Sequence, residues 1–216
     1  MSELPTKQTA IVSLPDGSLG IVHDAPVPTL QDDMVLVRNA AAGLNPVDSK
    51  MVGSLATPGA LAGMDFAGHV VAIGSGARTA TPLEVGDRVC GSVQGMHSLT
   101  PTIGAFSQYV GACDLITIKL SDTTSFEEGA SFGVGIGTSI LALFRSLALP
   151  GSPKDPAKVP KKVLVYGGST ATGTLAIQLL KLYEPPPRHT LREANSPRIG
   201  PGTYPLQHVL RTISIW

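Results

Sequence analysis

Over roughly its first 120 residues the chain alternates short apolar runs with clusters of Gly, Pro, Asp and Ser. Gln8 to Leu14, Met34 to Ala40, His69 to Gly74, Arg88 to Val93 and Ala105 to Val110 carry the period and composition of strands. Pro15-Asp16-Gly17, Gly74-Ser75-Gly76 and Val85-Gly86-Asp87 supply turns between them, because Gly tolerates positive φ and Asp bonds its own backbone. Short strands at this spacing predict a compact, mostly β, barrel-like module. Helical patterning begins near Ser125, where Ser125-Phe126-Glu127-Glu128 fits a capping box. A second helix is expected over Thr138 to Leu149, with Ile140, Leu141, Phe144, Leu147 and Ala148 as its apolar face. Pro150 to Pro156 then ends it and reads as a linker.

The next unit has a different grammar. Lys162 to Tyr166 reads as a buried strand, Gly167 to Gly173 as a glycine turn, and Thr174 to Leu182 as a helix with Leu175, Leu179 and Leu182 on one face. Strand, glycine turn and helix open a dinucleotide-binding fold, where free helix N–H groups meet a pyrophosphate. After Leu182 the pattern stops. Tyr183 to Trp216 holds six prolines, and Val209-Leu210 and Ile213-Ser214-Ile215 are too short and isolated to be the second strand of such a fold. The reading is an incomplete domain with a disordered or loosely packed tail.

Composition narrows the classes. Apolar residues make up 43% of the 216, enough for a core. Lys plus Arg and Asp plus Glu balance at 16 each, so charge gives no reason to expect nucleic acid or an anionic membrane as partner. The most apolar segment, Gly133 to Leu149, is interrupted by Arg145 and is too short and polar to span a membrane. Two cysteines, Cys90 and Cys113, without a signal-type leader fit a reduced, cytoplasmic setting.

Asn45-Pro46-Val47-Asp48-Ser49-Lys50, Gly63-Met64-Asp65-Phe66-Ala67-Gly68, Val85-Gly86-Asp87-Arg88-Val89, Gly104 to Tyr109 and the glycine turn follow one another in order. Together they resemble the zinc-independent, quinone-oxidoreductase-like branch of the medium-chain dehydrogenase/reductase superfamily. Val165 to Thr172 is most similar to trans-acting enoyl reductases that partner fungal polyketide synthases. The resemblance covers residues 8 to 182. It implies a mixed fold, α+β then α/β: a GroES-like β-barrel domain over 1–150, including the helices of 125–149, a linker over 151–161, and an incomplete Rossmann domain over 162–182 comprising only the first βα unit. Residues 183–216 fall outside it, as an aberrant tail. In such proteins the final segment returns to complete the catalytic domain. A frameshift, retained intron or premature stop would explain why that pattern is missing here.

The resemblance also implies chemistry. NADP, preferred over NAD, would be held by Val47, Asp48, Ser49 and Lys50, by Thr138, and by Gly167, Gly168, Ser169, Thr170, Ala171, Thr172 and Gly173. Ser139, Ile140, Leu141, Ala142, Leu143, Phe144, Arg145 and Ser146 would line the substrate cleft. The turn departs from G-x-G-x-x-G, since Ser169 to Thr172 replace the middle glycine with groups that can donate to phosphate oxygens. Other readings stay open: an ordinary helix cap at the turn, a solvated Lys50 beside a capping Asp48, and plain packing for Ile140, Leu141 and Phe144.

Zinc is not expected. Met64 stands where zinc-dependent relatives carry a histidine, the early cysteine ligand is absent, and the chain has no Cys-x-x-Cys pair. No side chain presents itself as an obligatory proton donor, so the catalytic group is unassigned. His69 reads as structural, and no Ser-His-Asp set can be drawn. The expected activity is NADPH-dependent reduction of α,β-unsaturated polyketide thioesters by a monomer working with a polyketide synthase. The alternatives are a quinone or alkenal reductase, or a non-catalytic remnant whose Val163–Tyr166 edge is left exposed.

Overall fold

The computed structural model describes residues 4–79, 81–151, 155, 158 and 163–183. The predicted tail beyond residue 183, Lys162 and most of the linker lie outside the described residues. The chain divides into two compact units, Met1–Val134 and Gly135–Trp216, which are taken in turn.

The first unit opens on a hairpin. β1 (Lys7–Ser13) pairs antiparallel with β2 (Leu19–Pro26) through the Pro15-Asp16-Gly17 turn, where Asp16 accepts from both the N–H and the hydroxyl of Ser18. β3 (Met34–Gly43), β4 (Asp65–Ile73), β5 (Arg88–Ser92), β6 (Tyr109–Cys113) and β7 (Ile118–Lys119) form an antiparallel sheet in the order β6-β3-β4-β5-β7. Side chains alternate across it as strand geometry requires. Val35, Val37, Phe66, Val70, Val89 and Val110 fill one core, while Ala67, Cys90, Leu120 and Ala130 pack the opposite face with Phe126 and Phe132.

Sequence and structure differ at identifiable places. β2 was not expected, because Gly20, His23-Asp24 and Pro26 interrupt its alternation; pairing with β1 makes it a strand. The strand expected over His69–Gly74 begins at Asp65, since Gly68 belongs to it. A Cβ there would come within 2.1 Å of the Arg38 carbonyl oxygen, so the glycine permits close backbone approach rather than a turn. The strand expected over Ala105–Val110 begins only at Tyr109, because the Ser107 hydroxyl bonds the Gly104 and Tyr109 carbonyls and holds that stretch in a bend.

Two short helices complete the unit. α1 (Pro46–Lys50) follows Asn45, with Pro46 in its first turn. α2 (Phe126–Ala130) has the predicted capping box: the Ser125 hydroxyl accepts from the Glu128 N–H at 3.1 Å, and Glu128 Oε2 accepts from the Ser125 N–H at 2.9 Å. Arg88 lies over the Phe126 ring at 4.4 Å and donates to the Ser121 and Thr124 carbonyls. His69 meets the same ring edge-on at 4.9 Å.

α3 (Gly133–Ile140) begins in the first unit and runs into the second, five residues earlier than its glycines suggested. Leu141–Ser146 continues it as a π-helix, closed by a bond from the Leu147 N–H to the Ala142 carbonyl and by Ala148 at φ 48°. α4 (Ala171–Tyr183) is longer at both ends than expected. Within this unit Leu175 packs where a side chain on Gly135 would sit, and the Phe144 and Tyr183 rings stack at 4.0 Å. The strand expected ahead of the glycine turn is not formed among the described residues. Val163–Val165 pairs with nothing there, Leu164 is 80% exposed and Tyr166 90% exposed.

Candidate functional site

In the first unit the predicted Val47–Lys50 segment is α1 itself. Asn45 governs its entry. The Asn45 N–H donates to Asp48 Oδ2 at 2.7 Å, and the Asp48 N–H donates back to the Asn45 carbonyl at 3.0 Å. Asp48 is therefore used as part of the cap. Ser49 donates to the Pro46 carbonyl at 2.9 Å, Val47 is half-buried, and Lys50 is exposed with no ion pair among the described residues. Of these four, Lys50 alone presents a free charge.

The same asparagine reaches a residue that the sequence did not single out. Asn45 Nδ2 donates to Asp65 Oδ2 at 2.9 Å, and the Val134 N–H, in the first turn of α3, donates to Asp65 Oδ1 at 2.8 Å. Asp65 is only 2% exposed. Burial pushes its carboxyl up from the ordinary range; the Asn45 and Val134 donors pull the other way, and the nearby Asp48 charge adds to the rise. Asp48 is likewise raised by burial, against the pull of the Asn45 N–H. Among the described residues no group of three or more His, Cys, Asp or Glu could hold a metal ion.

In the second unit the glycine turn is ordered by its own hydroxyls. Gly167 sits at φ 77°, a conformation that L side chains resist. A Cβ on Gly173 would come within 2.2 Å of the Gly167 carbonyl oxygen, so this glycine lets the helix press against the turn. Thr170 is the N-cap of α4: its Oγ1 accepts from the Gly173 N–H at 3.1 Å and donates to the Gly167 carbonyl at 2.8 Å. Thr174 Oγ1 donates to the Gly168 carbonyl at 3.1 Å. Ser169 differs, because its hydroxyl oxygen is buried and has no hydrogen-bond partner among the described residues. Ala171 and Thr172 are exposed at the start of the helix. An orphaned hydroxyl beside free helix N–H groups fits an anionic oxygen, so the residues present suit a nucleotide phosphate.

The predicted substrate stretch divides by burial. Ile140, Leu141, Ala142, Arg145 and Ser146 are exposed, as is Thr138 ahead of them. Ser139 and Leu143 point inward, and Phe144 is half-buried against Tyr183. Ser139, 1% exposed, donates to the Gly135 and Thr172 carbonyls at 2.8 and 3.1 Å, so its hydroxyl is spent between helices.

Comparison with known proteins agrees with this architecture. Residues 31–122 match the alcohol dehydrogenase GroES-like domain. Over 182 residues the chain is 59% identical to trans-enoyl reductase FSL5 of Gibberella zeae, covering 84% of this chain and 51% of that one. It is 54% identical over 186 residues to trans-enoyl reductase caaB of Aspergillus niger, covering 83% and 50%. Among solved structures, an alcohol dehydrogenase superfamily protein from Novosphingobium aromaticivorans superposes with a TM-score of 0.66 at 24% identity, covering 83% and 51%. A mycobacterial Rv1454c structure in complex with NADPH superposes with a TM-score of 0.58 at 26% identity, covering 80% and 49%. Residues 31–122 carry the alcohol dehydrogenase GroES-like domain, and the chain shares the medium-chain dehydrogenase/reductase fold of the solved structures it superposes on. The relatives it matches over most of its own length are fungal trans-enoyl reductases, and it spans about half of theirs. No helix among the described residues is long and apolar enough to cross a membrane.

Proposed function

We propose that these residues form the GroES-like domain and the opening nucleotide-binding element of an NADPH-dependent, trans-acting enoyl reductase that serves a polyketide synthase. The observation that carries this reading is the Ser169 hydroxyl, buried without a partner among the described residues, while the neighbouring Thr170 and Thr174 hydroxyls are already bonded to backbone carbonyls. Kinship to trans-enoyl reductases supplies the reaction class. When bound there, NADPH would supply the hydride for the β-carbon of an α,β-unsaturated thioester, with solvent as the source of the proton taken up at the α-carbon.

The chain's own residues bind and orient. Ser169 and the first-turn N–H groups of the exposed residues Ala171 and Thr172 would hold phosphate oxygens. The exposed Lys50 ammonium offers a mobile charge for a phosphate or a ribose hydroxyl. Thr138 and the exposed Ile140, Leu141 and Ala142 would provide the hydroxyl and apolar contacts for the nicotinamide end and the acyl chain. Work of this kind lies in positioning and electrostatic support, since the cofactor carries the hydride.

A chimera tests the assignment: residues 8–182 replace the matching stretch of trans-enoyl reductase FSL5. It is expected to oxidise NADPH with enoyl thioesters. Turnover of quinones with none of thioesters would transfer the stretch to the quinone reductases. The 216-residue chain alone is expected to give no saturable NADPH fluorescence change, because Val163–Val165 pairs with no strand among the described residues. Saturation at micromolar NADPH would show that the turn suffices unaided.

A further inference from the structure

Asp65 draws together three pieces of chain that the sequence keeps far apart. Asn45 precedes α1, Asp65 opens β4, and Val134 lies in the first turn of α3. The bonds form one line: Asp48 accepts from the Asn45 N–H, the Asn45 side chain donates to one Asp65 oxygen, and the Val134 N–H donates to the other. Both carboxylate oxygens are engaged by donors from the chain, and the residue is only 2% exposed.

The surroundings are shaped for this carboxylate. A Cβ on Gly133 would come within 2.4 Å of Asp65 Oδ1, and one on Gly43 within 3.1 Å of the Asp65 Cβ. Burying a carboxylate is costly unless it is fully hydrogen-bonded, and an apolar residue of similar size would pack this spot without that cost. What the carboxylate adds is direction. It accepts at two oxygens from two donors, and no apolar side chain can do so. An Asn at 65 could still accept from Val134, but its amide nitrogen would face the Asn45 amide, donor against donor.

We infer that the Asn45–Asp65 pair is a brace that holds α1 in register with the first turn of α3, which makes Asp65 a positioning residue for the Val47–Lys50 segment. The value of that positioning for cofactor binding rests on the function proposed above; the brace itself does not. Its signature is coupling across the chain. Loosening the pair at Asn45 disturbs Val134, 89 residues away, and loosening it at Asp65 disturbs α1.

Amide hydrogen exchange on the full 216-residue chain tests this, comparing wild type, Asn45→Ala, Asp65→Asn and the double variant. The probes are the Met51 N–H, which donates to the Val47 carbonyl in α1, and the Val134 N–H. The Val37 N–H in the core of β3 is the reference for global opening. Each single variant is expected to speed exchange at both probes by about tenfold relative to the reference. The double variant is expected to stay within about threefold of Asn45→Ala alone, since the shared bond is already gone. Asn45→Ala removes only a half-buried side chain and leaves the Asp65–Val134 bond in place, so it keeps the test open if Asp65→Asn folds poorly. An unchanged Met51 in Asp65→Asn, or an unchanged Val134 in Asn45→Ala, overturns the brace. So does strict additivity in the double variant. No cofactor enters the measurement, so a chain that binds no NADPH decides the question equally well.

Discussion

The Ser139 hydroxyl donates to the Thr172 carbonyl at 3.1 Å and to the Gly135 carbonyl at 2.8 Å, which ties α3 to the first turn of α4. The residue is buried, and the tie lands within the Gly167–Gly173 turn. Ser139→Ala is expected to cost about 1 kcal/mol, the net worth of one buried hydrogen bond. Urea denaturation followed by circular dichroism checks it. A change below about 0.3 kcal/mol would show that the tie contributes nothing.

Gly135 and Gly137 share a helix and should respond unequally to alanine. A Cβ on Gly135 would come within 2.4 Å of the Leu175 side chain, so Gly135→Ala has to push that leucine aside. Nothing lies within 4 Å of a Cβ built on Gly137. Gly137→Ala should therefore stabilise the chain by about 0.5–1 kcal/mol through helix propensity and a less flexible unfolded state. Paired thermal melts decide it, and equal shifts for the two variants would contradict the packing described.

The Ser125–Glu128 box caps a five-residue helix that Phe126 and Ala130 pack into the core. Ser125→Ala is expected to cost about 1 kcal/mol. The Glu128 carboxyl lies below its ordinary range, first because the Ser125 N–H donates to it and then because the Ser125 hydroxyl does. A depressed carboxylate stabilises above its unfolded pKa, and that stability fades as pH falls through the folded value. Glu128→Gln should thus match wild type more closely in acid than at neutral pH. A difference in melting temperature that stays constant down to acid would speak against the box.

The two thiols should part company with pH. Burial, and then the Asp65 charge, push Cys90 up to about 11 from 9.0. The folded chain holds this proton longer than the unfolded chain does. Stability is therefore lost as pH climbs between those values, on the order of 3 kcal/mol once ionisation is complete. Cys90→Ala should flatten the alkaline slope of the urea midpoint relative to wild type. Cys113 is exposed. Ellman's reagent should modify it in the native chain, and Cys90 only after denaturant is added.

The strands of the first unit were legible where short apolar runs such as Met34–Val37 and Val89–Cys90 stand between turn-forming residues. β2 was not, because its alternation exists only in the company of β1. The cap at Ser125 was legible since all its parts lie within four residues. The Asp65 node escaped because its donors stand 20 and 69 residues away along the chain. The available signal was a carboxylate at the head of an apolar strand, which demands partners when buried. At the glycine turn the sequence showed the hydroxyls but not their division of labour. Only three-dimensional placement separates Thr170 and Thr174, already satisfied, from Ser169, which is not. Likewise the sequence of Ser139–Ser146 gives its residue types but not which of them face inward, which the helical geometry decides for Ser139 and Leu143.

The ring of Tyr183 lies flat on Phe144, so the last described turn of α4 is moored to the π-helical stretch by a pair of aromatic faces. Shortening the polypeptide just beyond Tyr183 keeps that mooring, whereas removing one residue more strips the plate from Phe144 and leaves its hydrophobic face to water. A single aromatic contact thus sets how far α4 must run for Phe144 to keep its cover.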